Sequence, residues 1–158
     1  MRGPSRESLL LNPDFQDILS AFLDEHVEFL VVGAYALATH GYPRATGDLD
    51  LWVRCSKENA QRVWRALEKF GAPLSDLTVK DLEAPVIIFQ IGLAPRRIDI
   101  MTSIEGVNFD EAWPHRIDVE LGRLKIPIIG RSHLIQSKKT SGRPQDLADL
   151  AWLESNSD

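Results

Sequence analysis

The stretch Phe29 to Val53, FLVVGAYALATHGYPRATGDLDLWV, decides the fold. Phe29 to Val32 is a short apolar run ended by Gly33 and reads as a buried strand. Ala34 to His40 has helical composition, and Gly41 suits the left-handed position that stops a helix. Tyr42 to Gly47, with Pro43, is a loop. A second strand follows, in which Leu49, Leu51 and Val53 share one face and Asp48, Asp50 and Trp52 the other. The apolar side joins the core, so two carboxylates on the opposite side face a cleft. Such a pair repels itself unless a cation sits between.

Working outward, Asn12-Pro13 marks a helix start, with Asn as cap and Pro at the first helical position, and Phe15, Ile18, Leu19, Phe22 and Leu23 fall on one helical stripe. Ser56 caps another helix carrying Ala60, Val63, Trp64 and Leu67, closed by Gly71, which places Trp64 in the core. Val86 to Ile91 and Arg97 to Met101 are β-rich runs joined by Gly92-Leu93-Ala94-Pro95, as in a hairpin. In the second run Ile98 and Ile100 share one face, leaving Arg97, Asp99 and Met101 on the other. Asn108 caps a short helix through Trp113. Ile117 to Glu120 and Leu124 to Ile128 form another hairpin, and helical segments cover Ser132 to Lys139 and Pro144 to Glu154.

Composition sets the bounds. At 158 residues, 44% hydrophobic and 26% charged, the chain fits a single globular domain over 1–158. A net charge of -5 argues against a broad nonspecific nucleic-acid footprint. Cys55, the one cysteine, rules out an internal disulfide framework and reads as an inert thiol beside a strand. No apolar run reaches the roughly 18 residues of a membrane span and no leader-like segment is recognisable, so a cytoplasmic protein with no membrane partner is expected.

Aspartate is disfavoured in mid-strand, so Asp48, Asp50 and Asp99 on two central strands need a reason beyond solvation. Grouped hard oxygen ligands suit Mg²⁺ or Mn²⁺, which complete their shells with water and substrate phosphates. The plainer alternative is that Asp48 caps the strand start while Asp50 and Asp99 line a solvated edge. Gly33 lets backbone approach a phosphate, and the helix after it offers free N–H groups. Taken alone, a glycine at a strand–helix junction is a tight turn; its weight comes from the Asp-x-Asp that follows.

VVGAYALATHGYPRATGDLDLWV resembles the signature of the nucleotidyltransferase superfamily typified by DNA polymerase beta: an apolar strand, a Gly-Gly or Gly-Ser turn, a helix, then Asp-x-Asp or Asp-x-Glu. Arg44-Ala45-Thr46 before the acids and the tail KKTSGRPQDLADLAWLE resemble small bacterial nucleotidyltransferase-like proteins of the abortive-infection and toxin-antitoxin group, so the likeness runs from about Phe29 to Glu154. It implies an α+β fold, with a mixed central β-sheet of the nucleotidyltransferase type flanked by helices and a short C-terminal helical segment, about residues 132–154, packed on it. It further implies that Asp48, Asp50 and Asp99 are catalytic and hold two Mg²⁺ or Mn²⁺ ions when an NTP is bound, with Asp99 helping to deprotonate the acceptor. Gly33 and Ala34 would cradle the triphosphate, although Ala34 departs from the usual second Gly or Ser and supplies only backbone donors. Arg44, Thr46 and Lys138 are the further nucleotide-binding candidates. For Lys138 the alternative is a helix-end charge, and for Arg44 and Thr46 a role in ordering their loop.

The expected activity is transfer of an NMP from an NTP such as ATP to a hydroxyl acceptor, with pyrophosphate release. The acceptor is a tRNA end, a protein side chain or a small molecule, and the residues do not choose among them. The short chain leaves little room for an acceptor domain, so a protein partner or homodimer is expected to complete the site. A noncatalytic antitoxin-like binding module and a metal-dependent phosphohydrolase are the rival readings. Asp146 and Asp149 are expected to pair with Arg143 or Lys138, and Arg96-Arg97 to balance Asp99. His40 is expected to be exposed, and His26, His115 and His133 to be scattered.

Overall fold

The computed structural model describes residues 12–42, 47–93 and 96–155. Among these residues six strands form one mixed sheet. Its elements in chain order are α1 (Pro13–Asp24), β1 (Phe29–Val32), α2 (Gly33–Thr39), β2 (Leu49–Val53), α3 (Lys57–Phe70), β3 (Ile88–Ile91), β4 (Ile98–Met101), α4 (Phe109–Ala112), β5 (Ile117–Leu121), β6 (Leu124–Ile128), α5 (Arg131–Ser141) and α6 (Pro144–Ser155). The strand order is β3-β4-β2-β1-β6-β5. β1 runs antiparallel to β2 and parallel to β6, while β2 runs parallel to β4. Two antiparallel hairpins, β3–β4 and β5–β6, close the edges.

Local chemistry explains these boundaries. The Asn12 side chain accepts the Phe15 N–H at 3.1 Å, satisfying one of the orphan donors that start α1. Behind that cap Phe15, Ile18, Leu19 and Phe22 are all buried, and Phe15 meets Tyr35 of α2 edge-on. All four residues of β1 are buried, as a strand with neighbours on both edges and layers on both faces requires. Ser56 caps α3 through the Asn59 N–H at 3.2 Å, and Gly71 ends it at φ 89°.

Asn59, fully buried, is a link that sequence patterning misses. Its carbonyl accepts the Glu28 N–H at 2.8 Å, and its amide donates to the carbonyls of Glu28 at 3.0 Å and Arg54 at 2.8 Å. One satisfied side chain thus ties the start of β1 and the end of β2 to α3. That clamp braces β1 against β2, the strand that carries Asp50.

Several expectations need correcting. The run expected from Val86 to Ile91 begins at Ile88, because Val86 adopts φ 64°, a left-handed conformation that breaks strand geometry. The helix after β1 starts at Gly33 itself, and α5 runs from Arg131 to Ser141. Trp64 is half-buried and packs against the core from its margin. His40 is half-buried, with Nε2 2.9 Å from the Ile129 carbonyl, and burial lowers its pKa. His115 and His133 are brought together, with ring centroids 5.4 Å apart. Among the described residues, no helix is long and apolar enough to cross a membrane.

Candidate active site

The parallel pairing of β2 with β4 sets Leu49 against Ile98, Asp50 against Asp99 and Leu51 against Ile100. Neighbouring residues in register point to the same face, so the Leu and Ile side chains enter the core and both carboxylates leave it together. Asp48 faces the same cleft from the start of β2, where its Oδ1 accepts the Arg97 N–H at 3.0 Å. The Arg97 carbonyl in turn accepts the Leu49 N–H at 2.9 Å, which extends the ladder to the mouth of the cleft.

Arg97 balances this charge. Its Nε donates to Asp99 Oδ1 at 2.8 Å and its Nη2 to Asp99 Oδ2 at 3.2 Å, a two-pronged pair, while Nη2 also lies 3.6 Å from Asp48 Oδ2. Asp50 gains less from it. Burial, then the negative charges of Asp99 and Asp48, push the Asp50 carboxyl up to about 7, against a smaller lowering by Arg97.

Gly33 sits over Asp50 because Val32 and Asp50 are antiparallel partners. The glycine adopts φ +71°, and a Cβ built on it would collide with the Asp50 carboxylate, lying 3.1 Å from Cγ. Glycine is therefore required twice, by backbone conformation and by close approach. Ala34, next in α2, lines the cleft beside Asp48 and Arg97.

Lys138 reaches the cleft from α5 with its charge already engaged. Its Nζ lies 3.1 Å from Asp146 Oδ1 and 3.0 Å from Asp149 Oδ2, both on α6 and both buried. Arg143 Nε donates to Asp146 Oδ2 at 2.7 Å, and the Ser141 hydroxyl donates to the same oxygen. Burial alone would raise the Asp146 carboxyl, but hydrogen bonds from Ser141, Arg143 and Lys138, with the Lys138 charge, hold it down at about 2. Both expected pairings, to Arg143 and to Lys138, occur on Asp146. Trp152 of α6 stacks on Tyr42 with centroids 4.8 Å apart, which anchors the C-terminal helices beyond α2. Arg44 and Thr46 lie outside the described residues.

Two connected lobes flank the acids. One, of about 380 Å³, is bounded by Gly33, Ala34, Arg97 and Gln145. The other, of about 650 Å³, opens along Val86, Ile88, Met101 and Ile104 and meets the loop Ser103–Gly106. Asp50, Asp99 and Lys138 border both lobes.

Among the described residues, no group of three His, Cys, Asp or Glu side chains stands in an arrangement ready to hold a metal ion. The Arg97 guanidinium lies between Asp99 and Asp48. The donor set still fits a hard dication. Its atoms are carboxylate oxygens, they are overloaded with negative charge, and an arginine and a raised carboxyl together compensate that charge. Sequence patterning located the acids, the glycine and the balance of Asp99 by Arg97, but not the reach of Arg97 to Asp48 as well. The signal was present as Arg-x-Asp on one strand face.

No protein-family model matches the chain, and no curated protein matches it. Among solved structures it is similar to a crystal structure of a presumptive nucleotidyltransferase from Thermotoga maritima, with a TM-score of 0.56 and 20% identity, over 89% of this chain and 91% of that one. At that identity the likeness is one of fold. The α+β architecture, a mixed sheet of the nucleotidyltransferase type flanked by helices, is that expected from the sequence.

Proposed function

We propose that the chain is a metal-dependent nucleotidyltransferase that moves an NMP from an NTP to a hydroxyl acceptor. The observation that carries the reading is the register of Asp50 with Asp99, which turns two carboxylates toward the cleft that Gly33 borders. The nucleotidyltransferase-like fold supports it. Asp48, Asp50 and Asp99 would hold Mg²⁺ or Mn²⁺, and such ions, when bound, neutralise the attacking and leaving oxygens. The acceptor oxygen bonds to the α-phosphorus, the bond from that phosphorus to the bridging oxygen breaks, and pyrophosphate leaves with the electron pair. Asp99 takes the acceptor proton. Gly33 and Ala34 border the phosphates through backbone, and Lys138, whose geometry is fixed by Asp146 and Asp149, contributes positive potential at their edge.

The full chain incubated with Mg²⁺, each α-labelled NTP, and total RNA, protein or small-molecule fractions tests this. Label is expected to transfer with release of pyrophosphate, and Asp50→Asn to abolish it. Phosphate release in its place would point to a phosphohydrolase.

A binding module that keeps the fold without transferring nucleotides is the second reading. Ala34, which offers no hydroxyl to a phosphate, and the arginine set among the acids favour it. Absence of metal-dependent NTP binding by calorimetry would select it.

A further inference from the structure

Three cations border the smaller lobe among the described residues: Arg97, Lys138 and Arg143. Lys138 is held by Asp146 and Asp149, and Arg143 by Asp146 and Ser141. Arg97 differs, because its partners are Asp99 and Asp48, two of the acids assigned to the ions. Its backbone N–H is fixed to Asp48 Oδ1 at 3.0 Å, so the root of the side chain is anchored while the guanidinium closes on Asp99.

A guanidinium and a dication cannot share those oxygens. The Asp99 lone pairs that accept the Nε and Nη2 hydrogen bonds are the ones a metal would take, and the two positive charges repel. The Arg97 side chain is 32% exposed, so it can rotate without opening a cavity in the core. Within reach lies the lobe of about 380 Å³ along Gly33, Ala34 and Gln145. A planar fork of donors there matches phosphate oxygens two at a time, as it now matches Asp99.

We infer that Arg97 is a two-position residue: it closes on Asp99 and Asp48 in the metal-free protein and turns to the phosphates of the incoming nucleotide once divalent ions take the acids. It acts as a positioning residue that competes with metal alone and cooperates with metal plus nucleotide. The second position rests on the nucleotidyltransferase reading, whereas the first does not.

The test uses the full chain as wild type, Arg97→Gln, Arg97→Lys and Arg96→Gln. Arg96 is an exposed neighbour that removes the same charge without a contact to the acids, so its variant isolates long-range electrostatics. Mn²⁺ affinity is read by electron paramagnetic resonance without nucleotide, and affinity for a non-cleavable α,β-methylene ATP by calorimetry at saturating Mn²⁺. Arg97→Gln is expected to bind Mn²⁺ about tenfold more tightly and the nucleotide analogue about tenfold more weakly, the size of one charged hydrogen-bonded contact. Arg97→Lys falls between, and Arg96→Gln stays near wild type.

Opposite signs on the two ligands are what a merely structural role would not produce. Mn²⁺ affinity unchanged in Arg97→Gln, or raised equally in Arg96→Gln, overturns the competition. Tighter Mn²⁺ with analogue binding to neither protein upholds the first position and overturns the second together with the nucleotidyltransferase reading. Tighter Mn²⁺ with analogue affinity equal in wild type and Arg97→Gln overturns the second position alone.

Discussion

Asp50 and Asp99 are register partners on parallel strands, so two carboxylates stand abreast on one face with only a strand spacing between their backbones. The pair is costly without a cation. The Asp50 carboxyl, raised to about 7 from an ordinary 3.8, keeps its proton in the folded chain at pH values where the unfolded chain has lost it. Stability therefore falls as pH rises through that window. Urea midpoints measured in EDTA are expected to drop between about pH 4 and pH 7, and Asp50→Asn to remove most of that drop. Mg²⁺ at the higher pH should restore the wild type through linkage and leave Asp50→Asn unmoved. Equal slopes for the two proteins would show that Asp50 is not the strained group.

Gly33→Ala tests the close approach on the other side of the same carboxylate. The new methyl meets Asp50 directly, and φ +71° is unfavourable for alanine in any case. A loss of about 1–3 kcal/mol is expected, the range for forcing a side chain into a left-handed and occupied position. Thermal denaturation in EDTA measures it. Divalent affinity should fall as well, since Asp50 must move to make room. Full stability with full metal affinity would mean that the β1–α2 turn has slack.

Short-range features were legible from sequence because their causes are local. Asn12, Ser56 and Asn108 cap helices through donors within three residues, and Gly41 and Gly71 take the left-handed positions assigned to them. Asp50 and Asp99 were each readable as acids on a strand. Their adjacency depends on β2 pairing with β4 in parallel, and no local signal encodes that. The early helix start at Gly33 and the late start of β3 have the same origin, since tertiary contacts to Asp50 and Ser103 decide both. His115 and His133 meet through the fold, so spacing along the chain could not pair them.

Lys138 joins two roles that stability measurements can separate. With Asp146 and Asp149 buried against it, Lys138→Met leaves two carboxylates without their shared cation. A cost of about 3 kcal/mol is expected, as for one partner removed from a buried pair. Adding Asp149→Asn should recover part of it, which a double-mutant cycle reads directly. The low value of Asp146, about 2, gives a pH signature. Its contribution is complete above the ordinary carboxylate pKa and is lost as pH falls toward the folded value. Acid unfolding should thus shift to higher pH in Lys138→Met. An unchanged acid midpoint would leave Lys138 without a stabilising role.

Val86 is the remaining anomaly of the cleft. It is 81% exposed and sits at φ 64°, where a β-branched residue is strained, yet its N–H donates to Ser103 Oγ at 2.9 Å and the next N–H, of Ile87, to Thr102 Oγ1 at 3.0 Å. Two side-chain acceptors hold the backbone in place, so the strain persists. An exposed substitution ordinarily changes stability by no more than about 0.5 kcal/mol. Val86→Asn should instead gain about 1 kcal/mol, because asparagine tolerates the left-handed region and no buried area is lost. The gain should shrink in a Ser103→Ala background if the hydrogen bond is what enforces the conformation. Val86 borders the larger lobe with Ile88, Met101 and Ile104, so the same variant also makes the apolar wall beside Asp99 more polar. A higher melting temperature would show that the left-handed angle is strained, whereas no gain in stability would mean that the φ angle carries no cost.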